Sequence, residues 1–285
     1  MNTLKHLNSL LIIAILFALS SCQTDVEHAD SLRLENKFDE AAQLYQKAAD
    51  EGDAYATWRL SDAYGNGDGV DFDQEKAFTL LKEAADKGCI EAECDLSWAY
   101  MFGWYGHTDS IKGKQDRKET FDIKKGIEWL KKGVESNSTD AMVLLSKIYL
   151  YSKDDEDYKS YQNPSKGIEL LQKAINHGSG DANFQLGIEF FNGINVNKDD
   201  KKFFEYSQRA YELRNEGGAN NLGSCYQQGL GCERNINKAI EIYQEAVKLG
   251  SGHAAENLFA IFRYGDSQND IPVNFDRGKA KYYLL

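Results

Sequence analysis

Residue types that do chemistry are present in this chain of 285 residues, but their spacing matches no catalytic or metal-binding pattern. No serine precedes a lysine by three residues, which excludes the serine–lysine signature of penicillin-interacting enzymes. No glycine-rich stretch ends in Gly-Lys-Ser or Gly-Lys-Thr, as a phosphate-binding loop would. The four histidines that follow residue 22 stand too far apart for a zinc motif: His28, His107, His177 and His253. We therefore expect no catalytic residue, no bound metal and no cofactor.

One cysteine is placed for covalent modification. Lys5 is followed by an apolar run over residues 7–18, which is too short for a comfortable membrane span and favours a signal peptide. Leu19-Ser20-Ser21-Cys22 closes the run and resembles a bacterial lipobox. That resemblance implies cleavage before Cys22 and diacylation of its thiol, which would anchor the protein to a membrane without spanning it. The alternative is an ordinary signal peptide followed by a chance cysteine.

The elements that must position these residues recur along the chain in one register. Residues 36–70 are predicted to form two helices and a glycine loop, because apolar residues recur at helical spacing in each half. A small residue late in the first helix recurs as Ala48, Ala84, Gly133, Ala174, Ala210 and Ala246. A leucine of the second helix recurs with the same steps of 36, 49, 41, 36 and 36 residues, as Leu60, Leu96, Leu145, Leu186, Leu222 and Leu258. Two landmarks in one register indicate stacked helix pairs, and we assign both columns to packing.

Polar residues mark where these helices should begin. First helices are preceded by good N-cap residues at Asp73, Asp122, Asn163, Asp199 and Asn235. Second helices are preceded by Asp53, Ser138, Ser179 and Ser251 at the matching place. Asp276 continues the first series, so the sequence predicts a seventh first-helix that stops after about two turns.

The patterns KAxxxYxKAAxxG and AxxxLGxxYxxGxGV resemble the Sel-one-like repeat family, a relative of the tetratricopeptide repeats. The match covers about residues 36–285 and is specific in spacing, although Phe203, Gly218 and Cys232 depart from it. The resemblance implies an all-α fold, an α/α superhelical solenoid of about six helix-turn-helix repeats plus the truncated seventh helix. It also implies non-catalytic adaptor or scaffold work in envelope and signalling assemblies, without naming a partner.

The expected organisation has three parts: a signal peptide at 1–21; a segment at 22–35 with the lipidated cysteine, a short tether and the start of the first helix; and the solenoid at 36–285. Gln23 is not the aspartate associated with inner-membrane retention, which favours the outer membrane. The tether to about Ala29 would reach a few tens of ångströms at most, at roughly 3.3 Å per residue. We expect a lipid-anchored protein of the bacterial cell envelope that works close to its bilayer.

The remaining mature cysteines are candidates for disulfide bonds, which the envelope permits. They are Cys89, Cys94, Cys225 and Cys232. Cys89 and Cys94 lie about 8 to 9 Å apart if both are helical, which is too far for a bridge. Separate repeats keep the first two from the last two, so the candidate disulfide joins Cys225 to Cys232. The alternative is a pair of small buried hydrophobic side chains.

Two insertions break the step of 36 residues, around Gly103 to Phe121 and around Tyr151 to Asn163. Both follow a second helix, so they are predicted to emerge side by side on one edge of the solenoid. Loops often carry specificity in solenoids, and aromatic residues with mixed charge suit protein or glycan contacts. The candidate partner-binding residues are Trp104, Tyr105, His107, Lys112, Lys114, Tyr151, Tyr158 and Tyr161. The alternative is that the basic first loop simply pairs with the acidic residues 154–157 of the second.

Charge narrows the partners further. The chain has 33 Lys and Arg against 45 Asp and Glu, a net charge of −12, which argues against nucleic acid and anionic headgroups as main ligands. The sequence favours a scaffold that binds unidentified envelope proteins through its concave helical surface or its inserted edge. Two alternatives stay open: an envelope enzyme or penicillin-binding (β-lactamase-like) relative, and a glycan- or peptidoglycan-binding surface protein.

Overall fold

A computed structural model describes residues 25–102 and 122–264, and all regular structure within these ranges is helical. The chain divides into two compact units, Met1–Ser136 and Asn137–Leu285. The first contains α1 (25–34), α2 (Phe38–Asp50), α3 (Ala54–Asn66), α4 (Gln74–Asp86), α5 (Ile90–Phe102) and α6 (Ile123–Glu135). The second contains α7 (Thr139–Tyr151), α8 (Pro164–Asn176), α9 (Gly180–Asn192), α10 (Asp200–Glu212), α11 (Glu216–Gln228), α12 (Ile236–Lys248) and α13 (Gly252–Tyr264). The predicted all-α fold is confirmed.

The helices begin at the polar residues that the sequence predicts. The side chains of Asp73, Asp122, Asn163, Asp199 and Asn235 each accept a hydrogen bond from the backbone amide three residues on. Asp53, Ser138, Ser179 and Ser251 do the same for second helices, and Asn215 does so at α11. Each cap binds an amide that the helix itself leaves without a partner, so the starts of these helices are encoded locally.

One repeated hydrogen bond closes the connection that follows α3, α5, α7, α9 and α11. The backbone amide of the N-cap residue donates to the carbonyl of an aromatic residue in the preceding helix. The pairs are Asp73–Tyr64 at 3.0 Å, Asp122–Tyr100 at 2.8 Å, Asn163–Tyr149 at 2.9 Å, Asp199–Phe190 at 3.0 Å and Asn235–Tyr226 at 2.8 Å. Because the bond also closes the two connections that carry insertions, each insertion leaves and rejoins the helices at the usual place.

Lysines of the following helix cover the same aromatic rings. The Nζ atoms of Lys76, Lys125, Lys202 and Lys238 lie 3.9, 5.5, 4.7 and 4.2 Å from the ring centroids of Tyr64, Tyr100, Phe190 and Tyr226. The backbone amides of these lysines are the ones that the N-caps bind. These four rings therefore each have a cation over one face in addition to their contacts with the neighbouring helices.

Small residues let helices approach closely across these connections. A Cβ added to Gly126 of α6 would lie 2.4 Å from the Met101 side chain and 2.9 Å from the Ser97 carbonyl of α5. A Cβ added to Gly167 of α8 would lie 2.7 Å from Leu150 of α7. The closely packed pair is therefore a second helix with the first helix that follows it. The predicted unit at residues 36–70 instead begins with a first helix and ends with a second helix, so its boundaries are shifted by one helix from those of the packed pair.

Residues 25–34 form a helix where the sequence predicts a tether to about Ala29. Its buried residues are Val26, Ala29 and Leu32, which join the core of α2 and α3. Asp30 fixes its polar side by accepting hydrogen bonds from Tyr45 Oη at 2.5 Å and Tyr55 Oη at 3.2 Å. The expectation of a tether is wrong for residues 25–29, because apolar residues at every third position give this segment a face to bury.

Candidate functional site

The predicted partner-binding residues lie only partly in the described structure. Cys22, Trp104, Tyr105, His107, Lys112, Lys114 and the seventh helix from Asp276 lie outside the described residues. Lipidation, the basic insertion and the side-by-side placement of the two insertions therefore stay predictions. The second insertion is described and contains two short 3₁₀ turns, Ser152–Asp154 and Lys159–Tyr161.

The hydroxyl of Tyr151, the last residue of α7, forms hydrogen bonds within the second unit. The residue is 45% exposed, yet its hydroxyl donates to the buried carboxylate of Glu189 in α9. Gln185 Nε2 donates to the same hydroxyl at 2.5 Å, and Asn195 Nδ2 donates to the other Glu189 oxygen at 2.8 Å. Burial and then the Glu189 carboxylate raise the pKa of Tyr151 above its ordinary value. The ring of Tyr151 is free to contact a ligand, but its hydroxyl is already bound.

Tyr158 and Tyr161 lie at partly buried positions of the insertion. Burial, with smaller contributions from Asp155 and Asp157, raises the pKa of Tyr158 to about 12. Residues 153–157 are exposed, and the Asp157 amide donates to Asp155 Oδ1 at 3.0 Å. The acidic residues are thus solvated. Within residues 25–102 and 122–264, no three His, Cys, Asp or Glu side chains are grouped as metal ligands.

Cys225 and Cys232 are free thiols in the structure, as are Cys89 and Cys94. Cys225 is buried in α11, and burial raises the pKa of its thiol to about 12. A thiol with so high a pKa is mostly protonated at neutral pH and is a poor nucleophile. The bridge between Cys225 and Cys232 stays a prediction, and the burial of Cys225 agrees with the alternative of a small packing residue.

The second helices also share a surface that lies outside the small-residue and leucine columns. In each second helix, the residues five and one before the leucine and two and six after it share one face at helical spacing. We call these four positions the stripe of that helix. The stripes contain Tyr55, Arg59, Asp62 and Asn66 in α3; Glu91, Asp95, Trp98 and Phe102 in α5; Asp140, Leu144, Lys147 and Tyr151 in α7; Asp181, Gln185, Ile188 and Asn192 in α9; Gly217, Asn221, Ser224 and Gln228 in α11. Most of these residues are partly or fully exposed, so the stripes are available for binding.

In the second unit, residues of α9, α11 and α13 border a cleft of about 500 Å³. Its lining includes Asp181, Phe184, Arg214, Asn215, Gly217 and His253. Asn215 Nδ2 donates to Asp181 Oδ1 at 2.7 Å and so ties the start of α11 to α9. A Cβ added to Gly217 would lie 2.6 Å from the Phe184 ring, so the absence of a side chain at Gly217 makes room for Phe184. This end of the surface is polar and carries both signs of charge.

A second cavity of about 160 Å³ has Asn221 in common with the first. Its lining is mainly apolar and includes Ile188, Phe191, Phe203 and Leu230. The side chain of Asn221 has no hydrogen-bond partner among the described residues. A primary amide donates and accepts at once, so it can pair with both the N–H and the C=O of an extended polypeptide. We call the two cavities together the Asn221 groove, which is polar at one end and apolar at the other.

Arg214 lines this groove in a backbone conformation that favours glycine. Its φ is +60°, in the left-handed region. The equivalent turns elsewhere have positive φ at Gly52, Gly88, Asn137, Gly178 and Gly250. A residue with a side chain in this region costs on the order of 1–2 kcal/mol relative to the right-handed conformation. Strain of this kind is concentrated at functional sites in proteins, and here it lies beside the cleft of about 500 Å³.

The sequence patterns did not predict the groove, because the predicted binding residues lie in the insertions. The repeats, aligned in one register, do contain a signal for this surface. The stripe columns are distinct from the small-residue and leucine columns, and the turn column holds arginine at position 214 where most repeats hold glycine. Among the described helices, none is long and apolar enough to cross a bilayer.

Comparison with known families supports the pairing of helices seen here. A model described as Sel1 repeat matches residues 32–53, 54–89, 90–138, 139–179, 180–215 and 218–251. From the second match onward, each segment begins at or near a second helix and ends after the next first helix. These boundaries agree with the phase of the packed pairs.

Solved structures and one curated protein resemble the chain over most of its length. A Sel1 repeat protein from Oxalobacter formigenes has a TM-score of 0.72 and 25% identity, covering 91% of this chain and 97% of that one. A protective antigen of uropathogenic Escherichia coli with an SLR fold has a TM-score of 0.68 and 24% identity, covering 94% and 52%. Chitin synthase regulatory factor 3 of Schizosaccharomyces pombe is 27% identical over 238 residues, which is 82% of this chain and 20% of that protein. The chain spans a fifth or less of the curated relatives that it matches.

Proposed function

The chain belongs to the Sel1 repeat family, and from this premise we propose that it is a lipid-anchored scaffold of the bacterial cell envelope that binds another protein. Sel1 repeat proteins are typically protein-interaction scaffolds and are generally non-catalytic. The binding site that we propose is the Asn221 groove. Its partner is an extended segment of a second protein that carries at least one apolar side chain.

Asn221 is the observation that carries this proposal. Its unpaired amide lies where the polar cleft of about 500 Å³ meets the apolar cavity of about 160 Å³. An extended segment could form hydrogen bonds with Asn221 through its backbone while one apolar side chain enters beside Ile188 and Phe191. Burying a large apolar side chain contributes about 1.5–3 kcal/mol, and each hydrogen bond about 0.5–1.5 kcal/mol.

The proposed anchor would lie close to α1. The apolar leader and Leu19-Ser20-Ser21-Cys22 are the sequence signals for lipidation. Only residues 23 and 24 separate Cys22 from residue 25, the first described residue, which is already helical. At roughly 3.3 Å per residue, a lipid on Cys22 would hold the start of α1 within about 10 Å of its attachment point. The scaffold would then receive its partner at a membrane surface, and we propose the outer membrane.

Binding at the groove is tested by comparing wild type, Asn221→Ala and Asn192→Ala in pulldowns of envelope proteins. Asn192 makes the same change on α9, but it lines neither cavity. Loss of the two hydrogen bonds that Asn221 can offer should weaken the partner by about 1–3 kcal/mol, or roughly 5- to 150-fold. Thermal melts of all three proteins should agree. Identical partner profiles from wild type and Asn221→Ala would contradict the proposal.

The anchor is tested separately by metabolic labelling with an acyl probe. The wild type should carry label and sediment with membranes, whereas Cys22→Ala should be unlabelled because it lacks the acceptor thiol. Cys89→Ala keeps Cys22 and is the matched control, so it should be labelled as the wild type is. A wild type without label would show that the lipobox interpretation is wrong.

A further inference from the structure

A second surface lies in the first unit, on the stripe of α5. Along the helix this stripe runs Glu91, Asp95, Trp98 and Phe102, so an acidic half is followed by an aromatic half. Trp98 is 46% exposed and Phe102 is 50% exposed, and their ring centroids lie 4.4 Å apart. Two large aromatic side chains are thus in contact at the surface with their rings tilted by 34°, next to carboxylates on the same helical face.

On the adjacent stripe of α3, a similar combination of aromatic rings and a carboxylate binds a guanidinium group. The guanidinium of Arg59 lies 4.2 Å from the ring centroid of Trp58 and 5.0 Å from that of Tyr55. Arg59 Nη1 also lies 3.7 Å from Asp62 Oδ2. A guanidinium is stabilised there by the negative ring faces and by the carboxylate together. The first unit therefore already contains one filled site made of aromatic rings, a carboxylate and a cation.

The α5 stripe also combines aromatic rings with carboxylates. Trp58 Nε1 donates to Asp95 Oδ2 at 2.7 Å, which places the two stripes side by side. In the part of the chain that the structure describes, no lysine or arginine lies over the ring of Trp98 or Phe102. The stripe presents negative ring faces and two carboxylates in a chain with a net charge of −12. Its charge and shape therefore complement a cationic side chain.

We infer that the stripe of α5 binds a basic segment of a partner protein. One arginine or lysine side chain lies over the Trp98–Phe102 pair, and a second cation lies beside the exposed Glu91 carboxylate. A wholly apolar helix would cover the Glu91 carboxylate without bringing a cation to it, which costs free energy. This site belongs to the first unit and does not need the Asn221 groove, so each can fail without the other.

The test uses a short peptide, acetyl-Gly-Arg-Gly-Arg-Gly-amide, and the same peptide with citrulline in place of arginine. Citrulline keeps the planar shape of the side chain and removes its charge. NMR spectra of the indole N–H groups follow Trp58 and Trp98 separately. The arginine peptide should shift the Trp98 signal, and the citrulline peptide should bind roughly 2- to 30-fold more weakly, because cation–π attraction of about this size is lost.

Two substitutions locate the site on the stripe. Trp98→Ala and Phe102→Ala should each weaken the arginine peptide, whereas Phe72→Ala should not. Phe72 is a matched control because it is 50% exposed but lies in the connection between α3 and α4, off the stripe. Asn221→Ala should bind the peptide as the wild type does, which separates this inference from the groove.

Three results would overturn the inference. Equal binding of the arginine and citrulline peptides would show that only apolar contact is made. An unshifted Trp98 signal at saturating peptide would place the basic segment elsewhere. Wild-type affinity in both Trp98→Ala and Phe102→Ala would remove the aromatic pair as the cation platform.

Discussion

Replacing Arg214 by glycine should separate stability from binding at the Asn221 groove. Arg214 has a left-handed backbone, with φ of +60°. For a residue with a side chain, this conformation raises the free energy of the folded state by about 1–2 kcal/mol. Glycine avoids this cost but has a more flexible unfolded chain, which costs about 0.5–1 kcal/mol. The difference predicts that Arg214→Gly raises the free energy of unfolding by up to about 1.5 kcal/mol. The same change removes a charged group from the groove and should weaken partner binding.

Urea titration followed by circular dichroism measures the first effect, and the pulldown of envelope proteins measures the second. Asn137→Gly is the matched control, because Asn137 has φ of +62° in the equivalent turn and lines neither cavity of the groove. Asparagine tolerates the left-handed region, so this change should alter stability and binding very little.

Two outcomes would refute this reasoning in different ways. A loss of stability in Arg214→Gly would show that contacts of the arginine side chain outweigh its backbone strain. A gain in stability with unchanged binding would show that strain is present but that Arg214 plays no part in recognition. Only a more stable and more weakly binding variant agrees with the account.

Three further substitutions test buried contacts. Tyr151→Phe removes the hydrogen bond to the Glu189 carboxylate and should lower the free energy of unfolding by about 1.5–3 kcal/mol. In the same urea titrations, Tyr161→Phe should change the free energy of unfolding by less than about 0.5 kcal/mol. Equal losses in Tyr151→Phe and Tyr161→Phe would contradict a specific role for the Tyr151 hydroxyl. Gly126→Ala adds a methyl group 2.4 Å from the Met101 side chain and should lower the free energy of unfolding by about 1–3 kcal/mol. An unchanged melting temperature would contradict this prediction. Burial raises the pKa of Tyr243 to about 12, above its unfolded value near 10. Its contribution is therefore fully present below about pH 10 and falls by about 1.4 kcal/mol per pH unit as pH rises toward 12, because the unfolded chain loses the proton first. Tyr243→Phe should lose less stability than the wild type in this range, and parallel losses would exclude the effect.

The parts of the fold that the sequence predicted are those encoded within one repeat. An N-cap such as Asn163 needs only the amide three residues on, and a landmark such as Leu186 is recognised by comparing copies in one register. Residues 25–34 precede the first copy, so their helix had no counterpart to compare. Its face becomes visible only when Ala29 is seen against α2 and α3.

The candidate site could not be predicted because it depends on residues that are distant in sequence. Asn221 looks like any polar surface residue until α9 places Ile188 and Phe191 beside it. Tyr151 looks like a free aromatic contact until Glu189, 38 residues later, accepts its hydrogen bond. Side-chain pairing between repeats determines which exposed columns are available to bind a ligand, and spacing alone does not reveal that pairing.

The most direct test of the central claim is photo-crosslinking in intact cells from position 221. A photoreactive amino acid there would lie inside the groove, and the same amino acid at position 172 would lie at an exposed position of α8, away from both cavities. We predict that position 221 captures a defined envelope protein, identified by mass spectrometry, and that position 172 does not. Capture of the same proteins with equal yield from both positions, or from position 172 alone, would contradict the claim that the partner binds in the Asn221 groove.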